Sequence, residues 1–81
     1  MANNEMEATH MIPITMCSVN ERFEIQRISG QDSLRQHLAE LGFVVGTQIC
    51  IVSKLQDNVI VGIRDGRIAL DKTMANKIFV R

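Results

Sequence analysis

Residues 59–70 read Val-Ile-Val-Gly-Ile-Arg-Asp-Gly-Arg-Ile-Ala-Leu. Apolar residues alternate on both sides of the dipeptide Asp65-Gly66, the local signature of two antiparallel strands joined by a tight turn. A two-residue type I′ turn centred on that dipeptide predicts Ile63 opposite Ile68 and Val61 opposite Leu70 on one face. Gly62 then faces Ala69 on the other, a small pair at which a sheet can bend sharply.

Downstream of the hairpin, Asp71 is placed to cap a helical turn running through Ala75, and residues 77–80 make a last short strand with Ile78 and Val80 inward. Upstream, residues 48–55 put Ile49, Ile51 and Leu55 on one face and Cys50 and Val52 on the other; two apolar faces predict a curved, enclosed strand. Before it lies a helix over residues 33–41, where Leu34, Leu38 and Leu41 form one stripe. Ser33 with Gln36 has capping-box spacing and Asp32 competes as a cap. Gly42 stands where a left-handed terminating residue is needed, and Phe43 can pack back on Leu38.

Residues 22–28 alternate through Phe23 and Ile25, then slip by one to Ile28, which predicts a bulge near Gln26 and Arg27. Ile12, Ile14 and Met16 alternate in turn, with Pro13 confined to an edge or a strand start. Residues 1–10 are polar and without period, a flexible tail ahead of a domain over residues 11–81. The result is a mainly β fold of about five strands, one connecting helix and a short helical turn before the last strand. Five short, curved strands with too few residues for two packed sheets predict a small closed or partly open barrel.

The whole chain has 81 residues, enough for a single domain, and its 46% hydrophobic and 22% charged content is too apolar for intrinsic disorder. Nine bases balance nine acids. With Glu5 and Glu7 in the tail, the remainder carries a small basic excess, far from the dense stripes that grip phosphate backbones. Nucleic acid is therefore not an expected partner. No apolar run reaches the roughly 18 residues of a spanning helix, and the acidic N-terminus is unlike a signal peptide, so a cytoplasmic location without membrane insertion is expected.

No phosphate-binding glycine loop, dinucleotide fingerprint, helical histidine pair or close cysteine pair occurs. A nucleophile and base would have to come from Cys17 or Cys50 with His37, and no third group orients them, so no enzyme is expected. His37, Cys17 and Cys50 are also the candidates for a metal ion, yet His37 reads first as a solvated side chain flanking the leucine stripe. Each cysteine reads first as a small buried hydrophobe. Arg64, Arg67, Lys72, Lys77 and Arg81 make the C-terminal part basic. They read as solvated strand edges or as a docking edge for an acidic partner.

Leu34, Arg35, Leu38, Leu41, Gly42, Phe43 and Gly46, preceded by Gly30 and followed by the strand from Ile49, Gly66, the Ile68-Ala69-Leu70 triplet and Ala75, Ile78 and Val80, together form a recognisable pattern. Over about residues 11–80 the chain resembles the FeoA family, small cytosolic accessories of bacterial ferrous iron uptake. It departs from that pattern at Gln56, Asp57 and Asn58, where members often carry a proline and a glycine. The resemblance implies an SH3-like β-barrel and a regulatory role beside the membrane transporter FeoB, reached by contact with its cytosolic GTPase region. It implies a cytoplasmic protein held peripherally at the inner membrane through FeoB, with no cofactor of its own and iron met through the transport system. The partner contacts expected on this basis are Arg35, His37, Leu38 and Phe43. The alternative is a metal-binding or metal-sensing barrel, like the C-terminal module of DtxR-type iron-dependent repressors.

Overall fold

The computed structural model describes residues 11–81. In chain order these form β1 (Ile12–Pro13), a 3-10 turn (Ile14–Met16), β2 (Arg22–Ile28), α1 (Asp32–Glu40), β3 (Gln48–Lys54), β4 (Asn58–Ile63), β5 (Gly66–Asp71), α2 (Lys72–Ala75) and β6 (Ile78–Val80). The predicted tail lies outside the described residues. All strand pairs are antiparallel, in the order β1-β6-β2-β3-β4-β5. This is the mainly β, SH3-like architecture expected, with six strands and with β1 and β5 left as edges of a curved, open sheet.

The curvature originates in β2. Its first half pairs with β3, Arg22 opposite Cys50 and Glu24 opposite Gln48, and its second half pairs with β6, Arg27 opposite Phe79 and Ile28 opposite Ile78. The register slips between Ile25 and Arg27, so Gln26 is the extra residue of the predicted bulge. One strand thereby passes from one layer to the other, and the two layers close over a shared apolar interior. Ile14, Ile25, Leu38, Phe43, Ile51, Val61, Leu70, Ile78 and Val80 have no exposed surface there.

A second bulge was not anticipated. Between Ile51 and Ser53 the β3–β4 register shifts, leaving Val52 unpaired. Leu55 was expected on the inward face with Ile49 and Ile51, but the extra residue inverts the phase and leaves it 52% exposed beyond the strand end. The hairpin register also differs from expectation. The turn is Arg64-Asp65, with Ile63 opposite Gly66, Val61 opposite Ile68 and Val59 opposite Leu70, and Gly62 faces Arg67 instead of Ala69. Arg64 takes the positive φ of 54° and Asp65 does not, the pattern of a II′ turn. The two-residue shift keeps every side chain on its expected face. It also lengthens the ladder, which runs on through Asn58 and Asp71 to the Lys72 amide donating to the Asp57 carbonyl.

Met16 does not continue an alternating first strand: after Pro13 the chain turns into a 3-10 turn that buries Ile14 and leaves Met16 exposed. Pro13 sits on the edge strand, where its missing N–H costs no ladder bond.

Helix α1 begins one residue earlier than predicted. Gln31 is its N-cap without a side-chain bond, so neither Ser33 nor Asp32 caps it; Asp32 instead pairs with Arg35 in the first turn. The C-terminal end follows expectation in full. Gly42 has φ +108°, its amide donates to the Ala39 carbonyl, and the Phe43 amide donates to the Leu38 carbonyl. These two bonds make a Schellman stop. The second helix also follows expectation, Asp71 accepting from the Met74 amide at 2.8 Å.

Since Leu38 is fully enclosed, Leu38→Ala should lower unfolding free energy by about 2 to 5 kcal/mol. Urea denaturation of the two chains checks this, and an unchanged midpoint would remove Leu38 from the core.

Candidate functional site

Helix α1 is anchored at both ends. At its start, the Gly30 backbone is close to the Lys77 side chain, and the Ser29 amide donates to the Lys77 carbonyl. At its end, Gly42 sits so near the β4–β5 turn that an added Cβ would be 3.5 Å from Ile63 Cδ1 and 3.9 Å from Arg64 Nε. The chain then returns to β2 through the Gly46 amide on the Ile25 carbonyl and the Ile25 amide on the Thr47 carbonyl. Between these anchors Val44 and Val45 are 39% and 65% exposed, an apolar step following a buried Phe43.

The four expected partner contacts divide into two groups. Arg35 and His37 are exposed on α1. Leu38 and Phe43 have zero exposure and belong to the core, so they support the surface from beneath and offer it no atoms. Their apolar character drives burial first, and the spare surface passes to Val44 and Val45. The pair does not stand out in the sequence, because two valines between the helix stop and the Gly46 turn carry no period that tells an exposed side chain from a buried one.

The three metal candidates are not assembled by the fold. Cys17 is enclosed in the core, its thiol 3.7 Å from the Pro13 carbonyl and pushed up to about 11 by burial, with Lys54 opposing and Glu21 adding to the rise. Cys50 is half-buried on the outward face of β3, and His37 lies on the exposed side of α1. Among the described residues no three His, Cys, Asp or Glu side chains are grouped to hold an ion.

A second surface feature comes from strand register. Arg22 on β2, Cys50 on β3, Gly62 on β4 and Arg67 on β5 are successive cross-strand partners, so they form one row on the outer face. Arg22, Gln48, Ile49, Cys50, Gly62 and Arg64 line a shallow cleft of about 370 Å³ along it. A side chain at Gly62 would press on Val52 Cγ2 at 3.3 Å, so glycine keeps the floor of the cleft open beside the second bulge. The arginines give it a positive lip. Nothing in the linear sequence joins these positions, which are up to 45 residues apart (22 to 67).

The FeoA domain model matches residues 12–81. The chain belongs to the FeoA family. Its fold is similar to the crystal structure of an iron uptake regulatory protein (FeoA), at 22% identity with a TM-score of 0.81, covering 88% of this chain and 95% of the other. It is similar too to the NMR structure of a FeoA-like protein from Clostridium acetobutylicum, at 23% identity and a TM-score of 0.79, covering 88% and 85% of the two chains. The IdeR structure from T. acidophilum matches at 28% identity and a TM-score of 0.78, with 86% of this chain laid on 33% of that protein. No curated protein matches the sequence. No helix among the described residues of this FeoA-family chain is long and apolar enough to cross a membrane.

The two thiols should separate in reactivity. Iodoacetamide at pH 8 should label Cys50 and leave Cys17 unmodified until the protein is unfolded, as read by mass spectrometry. Because burial holds the folded Cys17 thiol neutral up to about pH 11 while the unfolded thiol ionises near 9, the contribution of Cys17 to stability should be constant below pH 9 and be lost between pH 9 and 11. Cys17→Ala should remove that alkaline loss.

Proposed function

We propose that this chain is a non-enzymatic regulator of bacterial ferrous iron uptake that binds the cytosolic GTPase region of the FeoB transporter from the cytoplasmic side. Membership of the FeoA family gives the coarser part, a role in ferrous iron transport. The observation that carries the finer part is the exposed Val44-Val45 step, held rigidly between the helix stop at Gly42 and the Gly46 bond to β2, with Arg35 and His37 on the preceding helix. Exposed apolar side chains on an otherwise polar surface are the composition of a protein-binding patch.

The second reading, a metal-binding or metal-sensing barrel, takes its support from the likeness to the manganese-dependent transcriptional repressors, whose length this chain covers by 40% or less. The ligand set it needs is not assembled among the described residues. On the first reading iron is the cargo of the system and the chain carries no cofactor of its own.

Calorimetric titration of the chain with the cytosolic domain of its cognate FeoB tests the proposal. Val45→Asp, at a 65% exposed position, should weaken binding at least tenfold and leave the melting temperature in place. Absence of heat with the wild-type chain at low and physiological salt, with and without guanine nucleotide, would remove FeoB as the partner. Ferrous ion titrated into the chain alone should give no heat beyond dilution; saturable binding lost in a variant without both cysteines would favour the second reading.

A further inference from the structure

The sheet ends on β5, whose outer edge is bonded to nothing among the described residues. The Lys72 amide donates to the Asp57 carbonyl, and that pair continues the β4–β5 register. Counting back by twos, Leu70 with Val59, Ile68 with Val61 and Gly66 with Ile63 are the hydrogen-bonded pairs. Arg67 and Ala69 therefore direct their N–H and C=O groups away from β4, to the free edge. Edges of this kind are ordinarily blunted by proline or repelling charge. Here β1 carries Pro13, whereas β5 has no proline and its two charges have opposite sign.

Read antiparallel to itself about Ala69, the segment Arg67-Ile68-Ala69-Leu70-Asp71 is complementary. Arg67 comes opposite Asp71 of a second copy, Ile68 opposite Leu70, and Ala69 opposite Ala69. Ala69 then exchanges both bonds with Ala69 of the other copy and the Asp71 N–H meets the Arg67 carbonyl, the Asp71 carbonyl being held by the first turn of α2, so the hydrogen-bond phase and the charge pattern agree on one register. A shift by two residues loses both ion pairs. Asp71 uses Oδ1 for the Met74 amide and keeps Oδ2 for an arginine. Gly66, which has open space where a side chain would be, faces Lys72 of the other copy and relieves crowding where the partner's α2 begins.

We propose that β5 is a homodimerisation edge: two copies pair β5 to β5, antiparallel about Ala69, joining their sheets across a two-fold axis. The row of Arg22, Cys50, Gly62 and Arg67 on one copy then continues into Asp71 of the other. A single shared strand edge is small beside the roughly 1,200 Å² of a stable interface, so dimers form at high concentration and respond to salt through the two ion pairs.

Sedimentation equilibrium on the full chain, with reductant present so that Cys50 cannot cross-link copies, should show the mass rising from one chain toward two between roughly 10 µM and 1 mM. Molar salt should reduce the rise. Ala69→Pro removes an amide that bonds to nothing in the monomer and should abolish it. Ala69→Lys, which sets two cations face to face on the axis and leaves the backbone intact, should do the same, so the result does not depend on the proline variant folding. A wild-type mass that stays at one chain up to 1 mM would overturn the proposal and leave the edge for a strand of another protein. Dimers that persist in Ala69→Lys would overturn it in favour of a different surface.

Discussion

The stop of α1 at Gly42 is the constraint on which the rest of the molecule depends. Two amides, those of Gly42 and Phe43, bond back to the carbonyls of Ala39 and Leu38, and this geometry turns the Phe43 side chain under the helix into the same enclosed volume as Leu38. A residue with a Cβ at φ +108° would strain the turn, and its side chain would be directed at Ile63 and Arg64. The stop therefore does three things together: it satisfies the helix carbonyls, it seats the helix on the end of β4, and it sets the direction in which the chain leaves for β3. The exposed pair Val44-Val45 is a by-product of that direction, because the loop must return to the Ile25 carbonyl through Gly46 within a few residues.

The two bulges act on opposite sides of this arrangement. Gln26 lets β2 serve both layers, which places Phe23 and Ile25 with Ile49 and Ile28 with Ile78 on continuous inward faces. Val52 does the reverse for β3, ending inward alternation after Ile51 and turning the strand end outward. Gly62 tolerates this because it has no side chain to meet Val52 across the β3–β4 pair. A sheet with six strands and about seventy residues can enclose a core only by such local bends, since flat strands of this length would leave one face wet.

Much of this was legible in the sequence. The bulge at Gln26 shows because polar or charged residues bracket each apolar one in β2, so a phase slip leaves a visible mark. The helix stop showed through Gly42 and Phe43, and the Asp71 cap through the change from strand to helical spacing. The bulge at Val52 left no mark, because Ile49, Cys50, Ile51 and Val52 are all apolar and either phase reads alike. The turn register is ambiguous in the sequence for a related reason. A shift by two residues preserves every inward and outward assignment, so alternation cannot distinguish a turn at Asp65-Gly66 from one at Arg64-Asp65. The ladder's extra length, out to Asp57 and Lys72, decides it, and that is a property of the assembled strands.

The same reasoning explains why the surface features were harder to see than the core. A core residue announces itself by being apolar at the right period, as Leu38 and Phe43 do. Surface constellations such as Arg22, Cys50, Gly62 and Arg67 exist only through register, and an error of two in one hairpin exchanges their members: with the turn at Asp65-Gly66, Gly62 would have faced Ala69 and the row would have lost its second arginine. Position along the strand, more than residue identity, makes Arg67 a neighbour of the cleft and directs its backbone to the free edge. Function in a domain this small is therefore written in pairings between strands. The family pattern around α1 is readable precursor information, because a helix and its stop are local, while the faces offered to partners are settled only when six strands have taken their register.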